Sequence, residues 1–308
     1  RNLEYCLACD SRRLKSVVDF GLQPPANSFH RESEPVDAYP LALNYCSDCF
    51  HVQLSVALDP SLLFRDYPYL SGTTRTLGAY FERFADLVTE RAGQPTSLLE
   101  IGCNDGSQLA RLEKRGWNCT GVDPALNISL QNGVRARRVS EFWSESVAEN
   151  LGESYDAIVA QNVFAHVVNP LEFLRSCCLV MRPGARLYLQ TSQANMIDDL
   201  QFDTVYHEHL SFFCARSIAA VAQRAGLSIL NLEIIPVHGG SYLVELQRSE
   251  PQKQSSTFQQ QETYEEGAGR YNPCTYTNYA KEIDSRVRDL KAILETFRAR
   301  GYGIVGYG

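Results

Sequence analysis

The densest group of acid–base side chains in the 308-residue chain is Tyr206-His207-Glu208-His209. A histidine titrates near neutrality and a neighbouring carboxylate can orient or tune it, so the run suits proton transfer. A metal is the poorer reading. Two histidine ligands on one helical face want three residues between them, and His207 and His209 have one. The bland alternative is a satisfied histidine in a helix-capping loop. A second group is Glu100-Ile101-Gly102-Cys103-Asn104-Asp105-Gly106. Its glycines, Gly102 and Gly106, remove Cβ atoms where a ligand must approach the backbone. The helix expected to follow favours a polar or anionic group at its N-terminus. The spacing Glu-x-Gly-x-Asn-x-Gly is not the Gly-x-Gly-x-x-Gly of a dinucleotide fold. An acid at Glu100 would repel a pyrophosphate but suits the cationic amino end of S-adenosylmethionine. Asp123, after Gly121-Val122, lies where ribose hydroxyls are held in nucleotide-binding α/β folds. Alone it fits a nicotinamide dinucleotide equally well, so Glu100 and Asn104 discriminate. With no ligand, the stretch is simply a tight strand-to-helix turn.

A third group is the pair of knuckles Cys6-Leu7-Ala8-Cys9 and Cys46-Ser47-Asp48-Cys49. Each can put two thiolates on one tetrahedral ion, and together they fill all four positions. Such a closed site has a structural role, so Cys6, Cys9, Cys46 and Cys49 are expected to hold zinc. The alternative is a set of redox or free thiols.

These groups need elements to position them. From Ser97 to Arg248, strand candidates (97–101, 118–122, 136–138, 155–161, 185–191, 227–234, 241–247) alternate with helical patterns, including 170–180 and 217–225. The fold class is therefore α/β, a doubly wound parallel sheet. The last two strands are joined without a helix and must be antiparallel, the methyltransferase variant of that fold. Ligands in such sheets bind beyond the carboxyl ends of the strands. Gln161, Asn162 and His166 follow the fourth strand and face that crevice, with His166 either a helix-entry residue or a cofactor contact. Phe142, after the third strand, either walls an adenine or joins Trp143 in the core. A helix over 77–91 shows one apolar face. Ahead of it, 63–76 is rich in aromatics and hydroxyls, including Tyr67 and Tyr69, and is either a surface loop or a cover over a polar substrate. Arg182-Pro183-Gly184 reads as a turn and 255–269 as a polar linker or mobile loop. Residues from Tyr279 to Phe297 recur at helical spacing, and the last seven residues read as a strand entering a glycine turn.

Hydrophobic residues make up 44% and charged residues 21% of the chain, with a net charge of −7. These proportions are ordinary for a globular protein. No basic block offers a nucleic-acid footprint. No apolar run reaches the ~20 residues of a membrane span, and no signal-peptide pattern opens the chain. The ten cysteines do not form a secreted disulfide framework, so the expected location is a reducing cytoplasm. The first residue is not Met, so leading residues are expected to be missing.

Over almost its whole length the chain resembles the S-adenosylmethionine-dependent C-methyltransferases of deoxysugar biosynthesis. The likeness rests on the two knuckles, 100–106, the run from Phe202 to Ser211, and His238-Gly239-Gly240-Ser241. It implies an N-terminal zinc domain, a central methyltransferase domain and a C-terminal Rossmann-like domain. The expected division is 1–75 for the zinc module and connecting loop, 76–254 for the methyltransferase, and 255–308 for a linker, a long helix and the start of an α/β domain. The resemblance implies methylation of C-3 in a dTDP-linked 4-keto sugar. His209 would remove the proton, with Tyr206 and Glu208 positioning it or stabilising the enolate. Tyr67, Tyr69, His207, His238 and Ser241 would meet the sugar nucleotide. The protein is expected to act as a monomer, without nucleic acid or membrane. Two departures stand near the substrate side: Gln190-Thr191-Ser192 replaces an acid and a proline, and Tyr242-Leu243 replaces Leu-Arg. An O- or N-methyltransferase and a non-catalytic zinc- and cofactor-binding module remain the alternatives.

Overall fold

A computed structural model describes residues 1–29, 35–192, 194–237, 239–248 and 255–306. A small antiparallel sheet holds β1 (Leu14–Gln23), β2 (Tyr39–Cys46) and β3 (Val52–Leu54), with one cysteine knuckle ahead of β1 and the other at the turn from β2 to β3. A short helix α1 (Pro60–Phe64) leads to α2 (Arg75–Ala92), whose first turn is capped by the Thr74 side chain.

The alternating segment then builds β4 (Ser97–Ile101), α3 (Ser107–Glu113), β5 (Asn118–Val122), β6 (Arg137–Val139), α4 (Glu145–Leu151), β7 (Tyr155–Gln161), α5 (Pro170–Val180) and β8 (Met181–Ser192). The two-residue strand β9 (Ser211–Phe212) precedes α6 (Ala215–Arg224), β10 (Leu227–Ile235) and β11 (Ser241–Arg248). Seven of these strands form one sheet in the order β10-β11-β8-β7-β4-β5-β6. The pairings from β8 to β6 are parallel, and β11 runs antiparallel to both β8 and β10, as the missing crossover helix requires.

The sheet is buried on both faces, which is why its central strands read as continuous apolar runs. Leu99, Ile101, Ile158 and Leu187 pack on one side with Phe164 and Phe213. Leu98, Val159 and Tyr188 pack on the other with Leu77, Phe81, Phe84 and Val88 of α2. A third cluster joins Leu43, Tyr45 and Val52 of the small sheet to Val205, Leu210 and Phe212. Strand β9 completes the small sheet by pairing with β3, Val52 opposite Phe212 and Gln53 opposite Ser211. The acid–base run is thereby stitched to the cysteine-stapled module.

Three expectations differ from the structure. The 182–184 turn is absorbed into β8, where the register jumps from Tyr155↔Met181 to Ala157↔Arg186. Residues expected to form a linker are helix α7 (Ser256–Gly267), capped by Ser255, with Phe258 and Glu265 buried seven residues apart on one face. Phe258 is the single buried apolar residue in that span and Tyr264 is exposed, which leaves almost no amphipathic signal. The last described residues, 302–306, are exposed and form no strand. The long helix α8 (Pro273–Ala299) forms as expected and stacks Tyr276 on Tyr45 with ring centroids 4.1 Å apart. No helix among the described residues is long and apolar enough to cross a membrane.

Candidate active site

A cavity of about 760 Å³ opens beyond the carboxyl ends of β4, β5 and β7. One part of its wall comes from the turns after those strands. Glu100 lines it at 4% exposure, and its Oε2 has no hydrogen-bond partner among the described residues. Burial, aided by the nearby Asp123 and Asp105 charges, raises its carboxyl well above the ordinary value. Gln161 is also buried against the cavity; its Nε2 donates to Gln108 Oε1 over 3.3 Å while its own Oε1 has no partner among the described residues. Two orphaned acceptors on one buried wall fit a cationic amino group, which would satisfy both.

Asp123 accepts from the Asn104 amide (2.8 Å) and the Ala125 amide (2.9 Å) and lies 3.7 Å from Arg138. Asn104 sits at φ 49°, donates from Nδ2 to the Tyr69 carbonyl and accepts at Oδ1 from Ser71 N–H. It pins the aromatic segment onto the turn. Gly102 has φ +75°, and a Cβ there would fall 2.2 Å from Val163 Cγ2. The absent side chain thus makes room for Val163 rather than for a ligand directly. Gly106 adopts φ +76° below the turn and does not line the cavity. Asp105 already caps the Ser107 amide of the short α3, so the expected anion-favouring helix end is occupied by a carboxylate of the chain. Phe142 lines the cavity with the Arg65 guanidinium 4.8 Å above its ring. Trp143 donates to the Phe173 carbonyl and packs against the core. Asn162 lines the wall at φ 55° and accepts from Gln190, which also donates to Ser241 Oγ. That is the place taken by the Gln190 departure.

The other part of the wall carries the acid–base run. His209 Nδ1 lies 2.9 Å from the Thr204 carbonyl, and Nε2 lies 3.1 Å from the Tyr206 hydroxyl. His166 lies 5.0 Å from His209 ring to ring, and its Nδ1 donates to the Glu208 carbonyl at 2.8 Å. Burial, then the neighbouring His209, pulls the His166 pKa down to about 3. Burial drives the Tyr206 and Tyr67 hydroxyls upward, with the Glu208 charge adding to it. Glu208 does not reach the His209 ring; its carboxylate takes Asn27 Nδ2 at 2.6 Å and the Tyr67 hydroxyl at 3.4 Å. Tyr67 and Tyr69 line the cavity in edge-on contact, centroids 6.4 Å apart.

Two expected substrate contacts are not brought to this wall. His207 is buried against Tyr39, its Nε2 near the Tyr39 carbonyl, because the chain turns here, the His209 amide donating to the Tyr206 carbonyl at 3.0 Å, and sends the two histidine rings to different sides. Ser241 is fully buried and donates to the Val237 carbonyl. His238 lies outside the described residues. Asn27, Thr204 and Arg65 join the site unforeseen. Arg65 reaches the Pro124 and Ser140 carbonyls and Glu141, tying α1 to the loops after β5 and β6. The only hint of Asn27 in the sequence is its place in the loop Pro24-Pro25-Ala26-Asn27.

The sulfurs of Cys6, Cys9, Cys46 and Cys49 all lie within 4.8 Å of one another, with Cys6–Cys49 at 3.5 Å and Cys9–Cys46 at 3.6 Å. A tetrahedron of sulfurs about 2.3 Å from zinc requires such separations. The other cysteines are free thiols, all but Cys178 and Cys274 buried.

A "Methyltransferase domain" family model matches residues 72–232. A "Putative zinc binding domain" matches 6–64, and a "C-methyltransferase C-terminal domain" matches 236–308. The C-methyltransferase NovU of Streptomyces niveus is 25% identical over 254 residues, covering 79% of this chain and 60% of NovU. The chain therefore spans less than two thirds of that relative's length. A ubiquinone biosynthesis O-methyltransferase of Aeromonas salmonicida is 24% identical over 167 residues, 48% of this chain and 70% of the relative. The magnesium protoporphyrin IX methyltransferase ChlM of Synechocystis, solved with S-adenosylhomocysteine, superposes with a TM-score of 0.46 at 15% identity, over 56% of this chain and 83% of ChlM. By the match across 72–232 the chain belongs to the methyltransferase family, and that match is flanked by the zinc-binding and C-methyltransferase C-terminal matches.

Proposed function

We propose that the protein methylates a carbon beside the ketone of a nucleotide-linked deoxysugar, with S-adenosylmethionine as donor and a structural zinc on the four cysteines. The observation that carries this reading is the His209 ring. A carbonyl can only accept, so Nδ1 bears the proton toward Thr204 and Nε2 keeps its lone pair on the cavity wall. A base there is needed for carbon methylation, because a C–H bond beside a ketone does not ionise unaided near neutral pH.

Glu100 and Gln161 would hold the donor's amino group, Asp123 its ribose, and Phe142 its adenine, with Asn162 and His166 completing the pocket. The donor, when bound, supplies an electrophilic methyl group. His209 Nε2 takes the proton from the substrate carbon, and the electron pair moves onto the ketone oxygen. The Tyr206 hydroxyl, released from Nε2, turns to that oxygen. Tyr67 and Tyr69 cover the sugar and keep water from the site. A mass-spectrometric screen of keto-sugar nucleotides for a methyl-sized gain tests the reading, with product NMR to locate the methyl. A methyl found on oxygen or nitrogen, or no product from any keto sugar despite tight donor binding, overturns it.

A further inference from the structure

Glu208 is 2% exposed, yet among the described residues no lysine or arginine forms an ion pair with it. Its carboxylate rests on two neutral donors. Asn27 Nδ2 meets Oε1 at 2.6 Å from a loop of the cysteine-stapled module 181 residues away in sequence, and the Tyr67 hydroxyl meets Oε2 at 3.4 Å. The Glu208 carbonyl holds His166, which packs on His209. A buried carboxylate that loses one of two donors is left undercompensated and must shift or take up a proton. Both Asn27 and Tyr67 line the cavity.

We propose that Asn27 is a positioning residue for the acid–base site: by holding Glu208 it fixes Tyr67 and the His166–His209 pair, and makes the cysteine-stapled module a working part of the catalytic wall. This rests on the function proposed above. An amide suits the task because it donates without ionising. An aspartate there would set two carboxylates at hydrogen-bond distance. The titratable groups facing Glu208 are Tyr67, Tyr206 and, through the carbonyl, His166. Burial raises the Glu208 carboxyl, and Asn27 and Tyr67 pull against that.

The test uses the full zinc-loaded chain with Asn27→Ala and the near-isosteric Asn27→Asp. It reads kcat, KM for the sugar, donor affinity by calorimetry, and the Glu208 titration by carbon-13 NMR, assigned with Glu208→Gln. Losing a hydrogen bond to a charged group costs about tenfold or more. Asn27→Ala is expected to lose that in kcat with donor affinity near wild type, and its Glu208 should titrate at higher pH. Asn27→Asp should lose turnover at neutral pH and recover part of it on acidification, as the two carboxylates come to share a proton. Wild-type kcat in both variants overturns the proposal, as does a fall in kcat with the Glu208 titration unmoved. The NMR measurement needs no turnover. If the wild-type protein methylates no sugar, the proposed function falls while an unmoved titration in Asn27→Ala still separately overturns this inference.

Discussion

The Tyr206 hydroxyl donates to His209 Nε2 across 3.1 Å while the opposite ring nitrogen is held by the Thr204 carbonyl at 2.9 Å. Both contacts lie within five residues of the ring, so the run itself orients the proposed base. Glu208, next in sequence, serves a different set of partners. The local chain thus fixes one tautomer, and the module across the cavity fixes the carboxylate.

From this follows a loss of turnover in His209→Asn. A positioned base contributes ~10²–10⁴-fold, and asparagine cannot accept the proton. The variant should bind S-adenosylmethionine near wild type. The wild-type protein should exchange the substrate proton with deuterated water when a non-reactive donor analogue is present, and the variant should not. Full turnover in His209→Asn would remove the histidine from the mechanism.

Glu100 gives a pH-dependent expectation. Its folded carboxyl is raised by burial and by Asp123 and Asp105, while the unfolded chain has the ordinary value. The folded state holds a proton that the unfolded state releases between those two values. Stability is therefore greatest below the ordinary carboxylate range and declines as pH rises toward the folded value. A bound ammonium favours the charged form, so donor binding in that window should release a proton. Calorimetry in two buffers of different ionisation enthalpy measures it. Glu100→Gln should release less and bind more weakly; equal release from both proteins would place the proton elsewhere.

Much of this arrangement was legible in the residues. The β4 turn, the final antiparallel pair and the four cysteines follow from apolar runs, a missing crossover helix and ligand spacing, all local signals. Asn27 meeting Glu208 and β3 pairing with β9 depend on tertiary folding, which no local pattern encodes. Helix α7 was hidden because its anchor is a buried carboxylate rather than an apolar stripe. His207 stands between Tyr206 and His209 in sequence, but the turn at 206–209 aims its ring at Tyr39 while theirs line the cavity.

The metal site should be coupled to the acid–base run. Zinc bound by thiolates is worth on the order of 10–16 kcal/mol in small domains, and the stapled sheet pairs with β9 directly after His209 and Leu210. Cys46→Ser should unfold the N-terminal module and lower turnover more than donor affinity, since the proposed donor contacts Glu100 and Gln161 lie on the other sheet. Metal analysis finding no zinc, or unchanged melting in the variant, would defeat this expectation.

Glu265 anchors the C-terminal helices. It is fully buried, accepts from the Ala215 amide at 3.0 Å and from the Tyr242 and Tyr271 hydroxyls, and pairs with Arg270 at 3.4 Å. Arg270 is 4% exposed and also binds Asp198 at 2.6 Å. Removing one partner of a buried pair leaves a charge uncompensated, at a cost of about 3–5 kcal/mol. Glu265→Ala should lose that much in urea unfolding, softened by the remaining Asp198 contact. Glu265→Gln keeps an acceptor for the hydroxyls and the Ala215 amide and should lose less. Asp198 follows Asn195 and Met196, which line the cavity, so the alanine variant should also raise KM for the methyl acceptor. Equal stability of both variants and the wild type would mean that α7 is held by Phe258 packing alone.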